Sequence, residues 1–235
     1  MRRTSSPAKR ARAVLGTLVE ISIGDDRFLP AVQSAFAVIE RVHRLMSRQD
    51  AASDVARINA AAPGSTLEVD PWTYEVLERA RDMHLLTEGL FDCGLRDSEL
   101  HGSSRVRLRT RIAVTLDGIA KGYAVDRAVE ALRHAGVPTG VVNAGGDLRL
   151  FGETFAPVHV RHPASPDKLA YIGRVKDAAV ATSAVNGQGA TVIAADCLTA
   201  DALTKPCLLA PRRAREIAQR FGAQAFSIDS LGRIH

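Results

Sequence analysis

The sequence predicts an α+β fold in which helices pack on a largely antiparallel, mixed sheet. Three observations point there. Stretches with a period of two alternate with stretches of helical period, yet no regular strand-helix-strand repeat emerges that would call for a parallel sheet. No internal repeat, low-complexity tract or interdomain linker interrupts the 235 residues, so one intertwined domain is the economical description. Hydrophobic residues at 46% and charged ones at 24% are those of a globular chain long enough to bury a substantial core.

Taken in order, residues 1 to 11 read as a solvated, disordered basic tail, and the domain is expected to run from 12 to 235. Leu15, Thr17, Val19, Ile21 and Ile23 alternate with more polar neighbours and mark a half-buried strand. Pro30 suits a first helical turn, and Val32, Phe36, Ile39, Val42 and Met46 form one apolar stripe behind it. Ser53 is placed to cap a short helix. Asp70-Pro71 opens another, with Val76, Leu77, Ala80 and Met83 inside. Arg96, Arg105, Arg107 and Arg109 fall in a polar stretch that reads as a solvated basic hairpin. A helix with Val125, Ala128, Val129 and Leu132 inside starts near Lys121 and Gly122 and ends at Gly136, a left-handed cap. An apolar strand follows at 190 to 195. Pro211 and Gly222 bracket a helix around Ala214, Ile217, Ala218 and Phe221, and residues 225 to 234 suggest a closing hairpin.

The net charge of +5 admits nucleic acid, anionic lipid or an acidic small molecule as partner. Aromatic residues are only 5% and do not alternate with basic ones, so no nucleic-acid surface is expected. No run approaches the roughly 20 apolar residues of a membrane span. Cys93, Cys197 and Cys207 are odd in number and lack metal-site spacing, as buried thiols of a reducing compartment would be. With no signal peptide recognisable at the start, a cytoplasmic location is expected. His159 and His162 are spaced for a helix face but stand beside Pro163, which argues against a helix and a metal pair.

Chemistry concentrates between residues 114 and 152. Thr115, Asp117, Lys121, Asn143 and Asp147 all fall at the ends of elements, where loops set side-chain positions. Asp117-Gly118-Ile119-Ala120-Lys121-Gly122-Tyr123-Ala124-Val125-Asp126, followed by Asn143-Ala144-Gly145-Gly146-Asp147, resembles the paired motifs of the ApbE family, the FAD:protein FMN transferases. Weaker matches flank them: Leu15-Gly16-Thr17, Met46 to Asn59, Thr87 to Asp92, Ala181-Thr182-Ser183 and Ala200 to Thr204. The resemblance covers nearly the whole chain after its first dozen residues, and it implies a fold of the α+β kind.

It also implies an activity: transfer of FMN from FAD, as substrate, to a Ser or Thr hydroxyl of an acceptor flavoprotein, with AMP leaving and magnesium assisting. By matched position Leu15, Gln49, Leu90, Phe91, Asp92 and Lys121 would contact the cofactor. Gly118, through its carbonyl, Asp201 and Thr204 would hold the magnesium, and Asp117 would be a further ligand or the base. Asp147 reads instead as the cap of a turn that only glycine allows. Three departures stand against the family pattern. Gln49 replaces an aromatic residue, a histidine-containing loop after Ser183 is missing, and Lys205 stands where a hydroxyl is expected four residues after Asp201. Either Thr204 serves in its place, or the Lys205 ammonium takes the metal's place. The alternative reading is a relative that binds or hydrolyses FAD and no longer modifies a protein.

Overall fold

The computed structural model describes residues 6–153, 155–162, 165–228 and 233; the side chains of residues 161–169 are not described. Seven strands form the main sheet. They are β1 (Ala8–Val14), β2 (Thr17–Ile23), β6 (Gly140–Ala144), β7 (Asp147–Phe151), β10 (Ala179–Val185), β11 (Gln188–Ala194) and β12 (Gln224–Ile228), in that spatial order. Every described pairing is antiparallel, so the expected mixed sheet is antiparallel throughout.

The front edge corrects the sequence reading. Ala8 to Ala11, assigned to a disordered tail, are the first residues of β1 and pair with Glu20 to Ile23; the tail's residues 1–5 lie outside the described residues. The reason for the misreading is chemical. β1 is an edge strand, and Lys9, Arg10 and Arg12 are the kind of charge that protects such an edge, so it reads as a solvated segment. Leu15 likewise leaves the predicted strand. With Gly16 it makes the two-residue turn between β1 and β2, at φ +58° and +71°. A non-glycine residue held left-handed costs about 1–2 kcal/mol, which the paired strands on both sides must supply.

Helices cover one face of the sheet. α1 (Leu29–Met46), α4 (Ala120–His134) and α5 (Cys197–Leu209) pack side by side, against Val19, Ile21, Val142, Ala144, Ala179 and Ala181. The predicted stripe Val32, Phe36, Ile39, Val42 and Met46 is buried as expected. On the opposite face Val141, Leu148 and Val180 line a groove with Ala156, Pro157 and Val158 of β8 (Phe155–His162). β8 pairs with β9 (Ser165–Lys176) as a separate ribbon. His159 on that ribbon stacks at a tilt against Tyr171, ring centres 5.5 Å apart.

The segment between α1 and α4 makes a smaller lobe: α2 (Asp54–Ala60), α3 (Pro71–Leu86) and the three-stranded sheet of β3 (Thr66–Glu68), β5 (Arg105–Leu108) and β4 (Ser98–His101). The caps expected from sequence hold it. Ser53 accepts the Ala56 N–H at 3.0 Å and Asp70 the Trp72 N–H at 2.9 Å. Asn59 fastens the lobe to the segment that leads into α4, donating to the Val114 carbonyl at 2.9 Å and accepting its N–H at 2.6 Å. α6 (Ala214–Gln219) follows a 3-10 turn at Pro211–Arg213. The first arm of the expected closing hairpin is β12 (Gln224–Ile228), while its turn at 230–232 and Ile234 lie outside the described residues. Among the described residues no helix is long and apolar enough to cross a membrane, and all three cysteines are buried and free of disulfides.

Asp126 explains how α4 and α5 are locked. Its carboxylate accepts the N–H groups of Cys197 and Leu198 at 2.9 and 2.8 Å, so it caps α5 from a neighbouring helix, and it pairs with Arg149 at 2.6 Å. Burial raises its pKa; Arg149 and the two N–H groups pull against that. Asp126→Ala removes one partner of a buried charge pair and orphans two helix donors. It should cost about 3–5 kcal/mol, read as a lower urea midpoint. A second clamp sits at the surface, where Glu88 binds Arg213 and Arg220 at 3.0 and 2.8 Å. Hydrogen bonds from those guanidiniums hold its carboxyl down at about 2. A depressed carboxylate stabilises the fold above its unfolded value and loses that contribution as pH falls through the folded one. Glu88→Gln should therefore lower Tm at pH 7 and leave it nearly unchanged at pH 2.

Candidate active site

A cleft of about 430 Å³ opens where four elements end: the β1–β2 turn, the last turns of α1, the loop after it and the entry to α4. Leu15, Val42 and Met46 give it an apolar wall, and His43, Arg48, Gln49, Asp117 and Lys121 supply its polar groups. Its volume lies in the range of small-molecule sites. The N–H groups opening the 15-residue α4 and the cations beside them favour an anion. Across the mouth Arg48 faces Asp117 at 3.4 Å, both about half exposed. Ser47 organises the adjoining loop: its hydroxyl accepts the N–H groups of Gln49 and Asp50 and donates to the Gln49 side chain at 3.1 Å. The Gln49 amide is thereby tied down at the rim.

Behind Lys121 lies a buried charge cluster. The Lys121 ammonium makes an ion pair with Asp147 and stands 4.0 Å from Asp201. Both carboxylates are almost fully buried, at 3% and 5% exposure. Burial lowers the lysine's pKa, but the charges of Asp201 and Asp147 outweigh it, leaving the ammonium above its ordinary value. Asp201 is pushed up to about 7, by burial first and then by the charge of Asp147; Lys121, the Gly122 N–H and Lys205 act the other way. Asp147 is raised by burial against the pull of Lys121.

Sequence explains why these groups meet. Asn143 accepts the Gly146 N–H at 2.9 Å and closes the β6–β7 turn. Gly145 is left-handed at φ +65°, and a Cβ there would collide with the Thr17 hydroxyl, so the turn drops Asp147 into the interior. Asp147 thus does more than cap a turn, which corrects the sequence reading. Its place in the same motif pair as Lys121, with the opposite charge, was the available signal. Gly122 has a different duty. A Cβ on it would overlap the Cys197 carbonyl, so glycine lets α4 and α5 touch, and its N–H reaches Asp201 at 3.1 Å.

Of the residues singled out by sequence, Leu15, Gln49, Asp117 and Lys121 line the one cleft. Leu90, Phe91 and Asp92 do not. Phe91 is in the core, its N–H bound to the Thr87 hydroxyl. Asp92 makes the turn it also suggested, accepting the Gly94 N–H at 2.9 Å and pairing with Arg96, beside a separate cavity of about 340 Å³. Arg48 and His43 were missed, because an arginine and a histidine at a helix end read as solvated.

Gly118, Asp201 and Thr204, the expected magnesium ligands, each already face a proton donor, acceptor or cation. One Asp201 oxygen accepts the Gly122 N–H and the other faces Lys121. Thr204 donates to the Asp201 carbonyl at 2.8 Å and lies 2.9 Å from the Ser183 hydroxyl. The Lys205 ammonium lies against Gly118, 3.2 Å from where its Cβ would stand. Among the described residues no group of three or more His, Cys, Asp or Glu side chains can hold a metal. Magnesium wants hard oxygens with room for several waters, and this donor set does not fit it.

The model of the ApbE family matches residues 15–97 and 93–188. The chain belongs to the ApbE family. It is 27% identical over 180 residues to a Rhodobacter capsulatus FAD:protein FMN transferase, a match covering 60% of this chain and 34% of that relative; the chain spans about a third of its length. The ApbE protein of Thermotoga maritima shares 26% identity at a TM-score of 0.86, covering 97% of this chain and 96% of that one. The Pseudomonas stutzeri flavinyl transferase ApbE, at 19% identity, shares the fold, with a TM-score of 0.85 over 100% and 94% of the two chains. The α+β expectation agrees with these ApbE structures.

The buried cluster can be tested by itself. Lys121→Met leaves Asp147 without its cation and should cost about 3 kcal/mol or more in urea unfolding. Lys121→Met with Asp147→Leu should recover most of that loss, because the two changes share one interaction.

Proposed function

We propose that the chain transfers FMN from FAD to a Ser or Thr hydroxyl of an acceptor flavoprotein and releases AMP. The observation that carries this reading is the convergence of the first family motif, through Asp117 and Lys121, with Leu15 and Gln49 on one cleft. Leu15, Val42 and Met46 offer an aliphatic wall for a flat ring. His43, Arg48, Lys121 and the start of α4 face the pyrophosphate. Asp117, exposed at the mouth, is the base: it takes the proton of the acceptor hydroxyl as that oxygen attacks the phosphorus of the FMN half. The bond from that phosphorus to the bridging oxygen breaks, and its electron pair leaves with AMP. Positioning and charge neutralisation then carry the catalysis, as in other phosphoryl transfers.

A second reading has its own support. β10 and β11 are joined by the two residues Asn186 and Gly187, both left-handed, where the family resemblance implies a histidine-containing loop. Gln49 supplies no ring face to stack on the flavin. Without those contacts water would take the acceptor's place, and the product would be FMN and AMP. The buried, disulfide-free thiols suit a cytoplasmic home for either activity.

Incubation with FAD and a Ser- or Thr-containing acceptor peptide, followed by AMP analysis and peptide mass, separates the readings. AMP with an FMN-sized mass gain supports transfer. AMP and free FMN without a mass gain supports hydrolysis, and no AMP with any acceptor rules out both. Asp117→Asn should slow AMP release by about 10²–10⁴-fold while FAD binding persists.

A further inference from the structure

We propose that the ammonium groups of Lys121 and Lys205 hold the place of a divalent cation, so that this chain works at its pyrophosphate without one; the inference rests on the flavin-transfer reading of the cleft. The charge count is the first argument. Asp147 and Asp201 are the buried carboxylates of the cluster, Lys121 touches the first and lies 4.0 Å from the second, and Lys205 brings a second ammonium. The two buried carboxylates thus share one ammonium and have a second on the adjoining turn of α5. A divalent ion added there would give the cluster more positive charge than its carboxylates can answer and would be repelled by the ammonium groups.

The second argument is where Lys205 lies. It follows Asp201 by four residues on α5, so both project from the same side of the helix. Its stem runs over Gly118: a Cβ at that residue would meet Nζ, Cε and Cδ at 3.2, 3.6 and 3.7 Å. The glycine leaves room for the lysine, and the ammonium stands beside the backbone of the segment that enters α4. Gly118 and Asp201 were the expected metal ligands, and the lysine lies over the first and one helical turn beyond the second. Thr204, the remaining one, keeps its hydroxyl between the Asp201 carbonyl and Ser183. The Asp201 and Thr204 oxygens that would face a cation are therefore already held by groups of the chain itself.

Mn²⁺ alone, titrated into the full chain and followed by the resonance of the free ion, tests the charge assignment whether or not the flavin reading holds. The wild type should take up no stoichiometric Mn²⁺. Lys205→Thr, which removes the ammonium and places a hydroxyl four residues after Asp201, should take up one ion per chain. FAD binding by the wild type, followed by flavin fluorescence, should be equal in EDTA and in Mg²⁺. Lys205→Gln, at an exposed position, should weaken it about tenfold, the loss of one charged contact near 1.4 kcal/mol. Stoichiometric Mn²⁺ uptake by the wild type that disappears in Asp201→Asn overturns the proposal, as does FAD binding or AMP release abolished by EDTA. FAD binding absent under every condition would sink the flavin reading instead, and the Mn²⁺ titration then decides the charge assignment.

Discussion

One half-buried ammonium organises this molecule. Lys121 enters α4 beside the cleft and is shared by Asp147 from β7 and Asp201 from α5. Burying two carboxylates is unfavourable unless each is answered, so the three elements must arrive together for either to be tolerated. The demand propagates outward. α4 and α5 must touch, which requires a glycine at position 122, and the start of α5 must be capped, which Asp126 does from one turn further along α4.

The cleft inherits its geometry from that lock. Because the start of α4 is held from behind, Asp117 and Lys121 face the α1 terminus and the Leu15 turn across one cleft. The strained left-handed Leu15 fits the same logic. Backbone strain persists where the surroundings overdetermine it and is concentrated at working sites; here paired strands on both sides of the turn present an apolar side chain to the cleft.

Among the departures from the family pattern, the one on α5 bears on the buried carboxylates. The fold and both glycine-containing motifs follow the ApbE pattern, and the geometry gives Gly122, Asp126, Asn143, Gly145 and Asp147 of those motifs a physical task. The α5 segment follows the pattern as far as Asp201 and Thr204, then substitutes a lysine whose charge bears directly on the carboxylate cluster. A single residue can change how a phosphate site is neutralised because ammonium and metal compete for the same volume, not only for the same charge.

Much was legible in the residues themselves. Helical stripes such as Val32 to Met46, the caps at Ser53, Asp70 and Gly136, and the paired motifs are local signals, since periodicity and capping need only neighbours along the chain. The fold class followed from their order, and Asp117, Lys121, Leu15 and Gln49 from the resemblance. Tertiary structure decided the rest. Whether Ala8 to Ala11 is a tail or an edge strand depends on a partner strand. Whether Asp92 serves a cleft or a turn depends on which cavity it borders. Whether Asp147 caps a turn or answers a lysine 26 residues away depends on where β7 meets α4. Sequence displays which charges a chain owns; only the fold determines which of them are forced to share one dry space, because desolvation is a property of the packed surroundings and not of the residue.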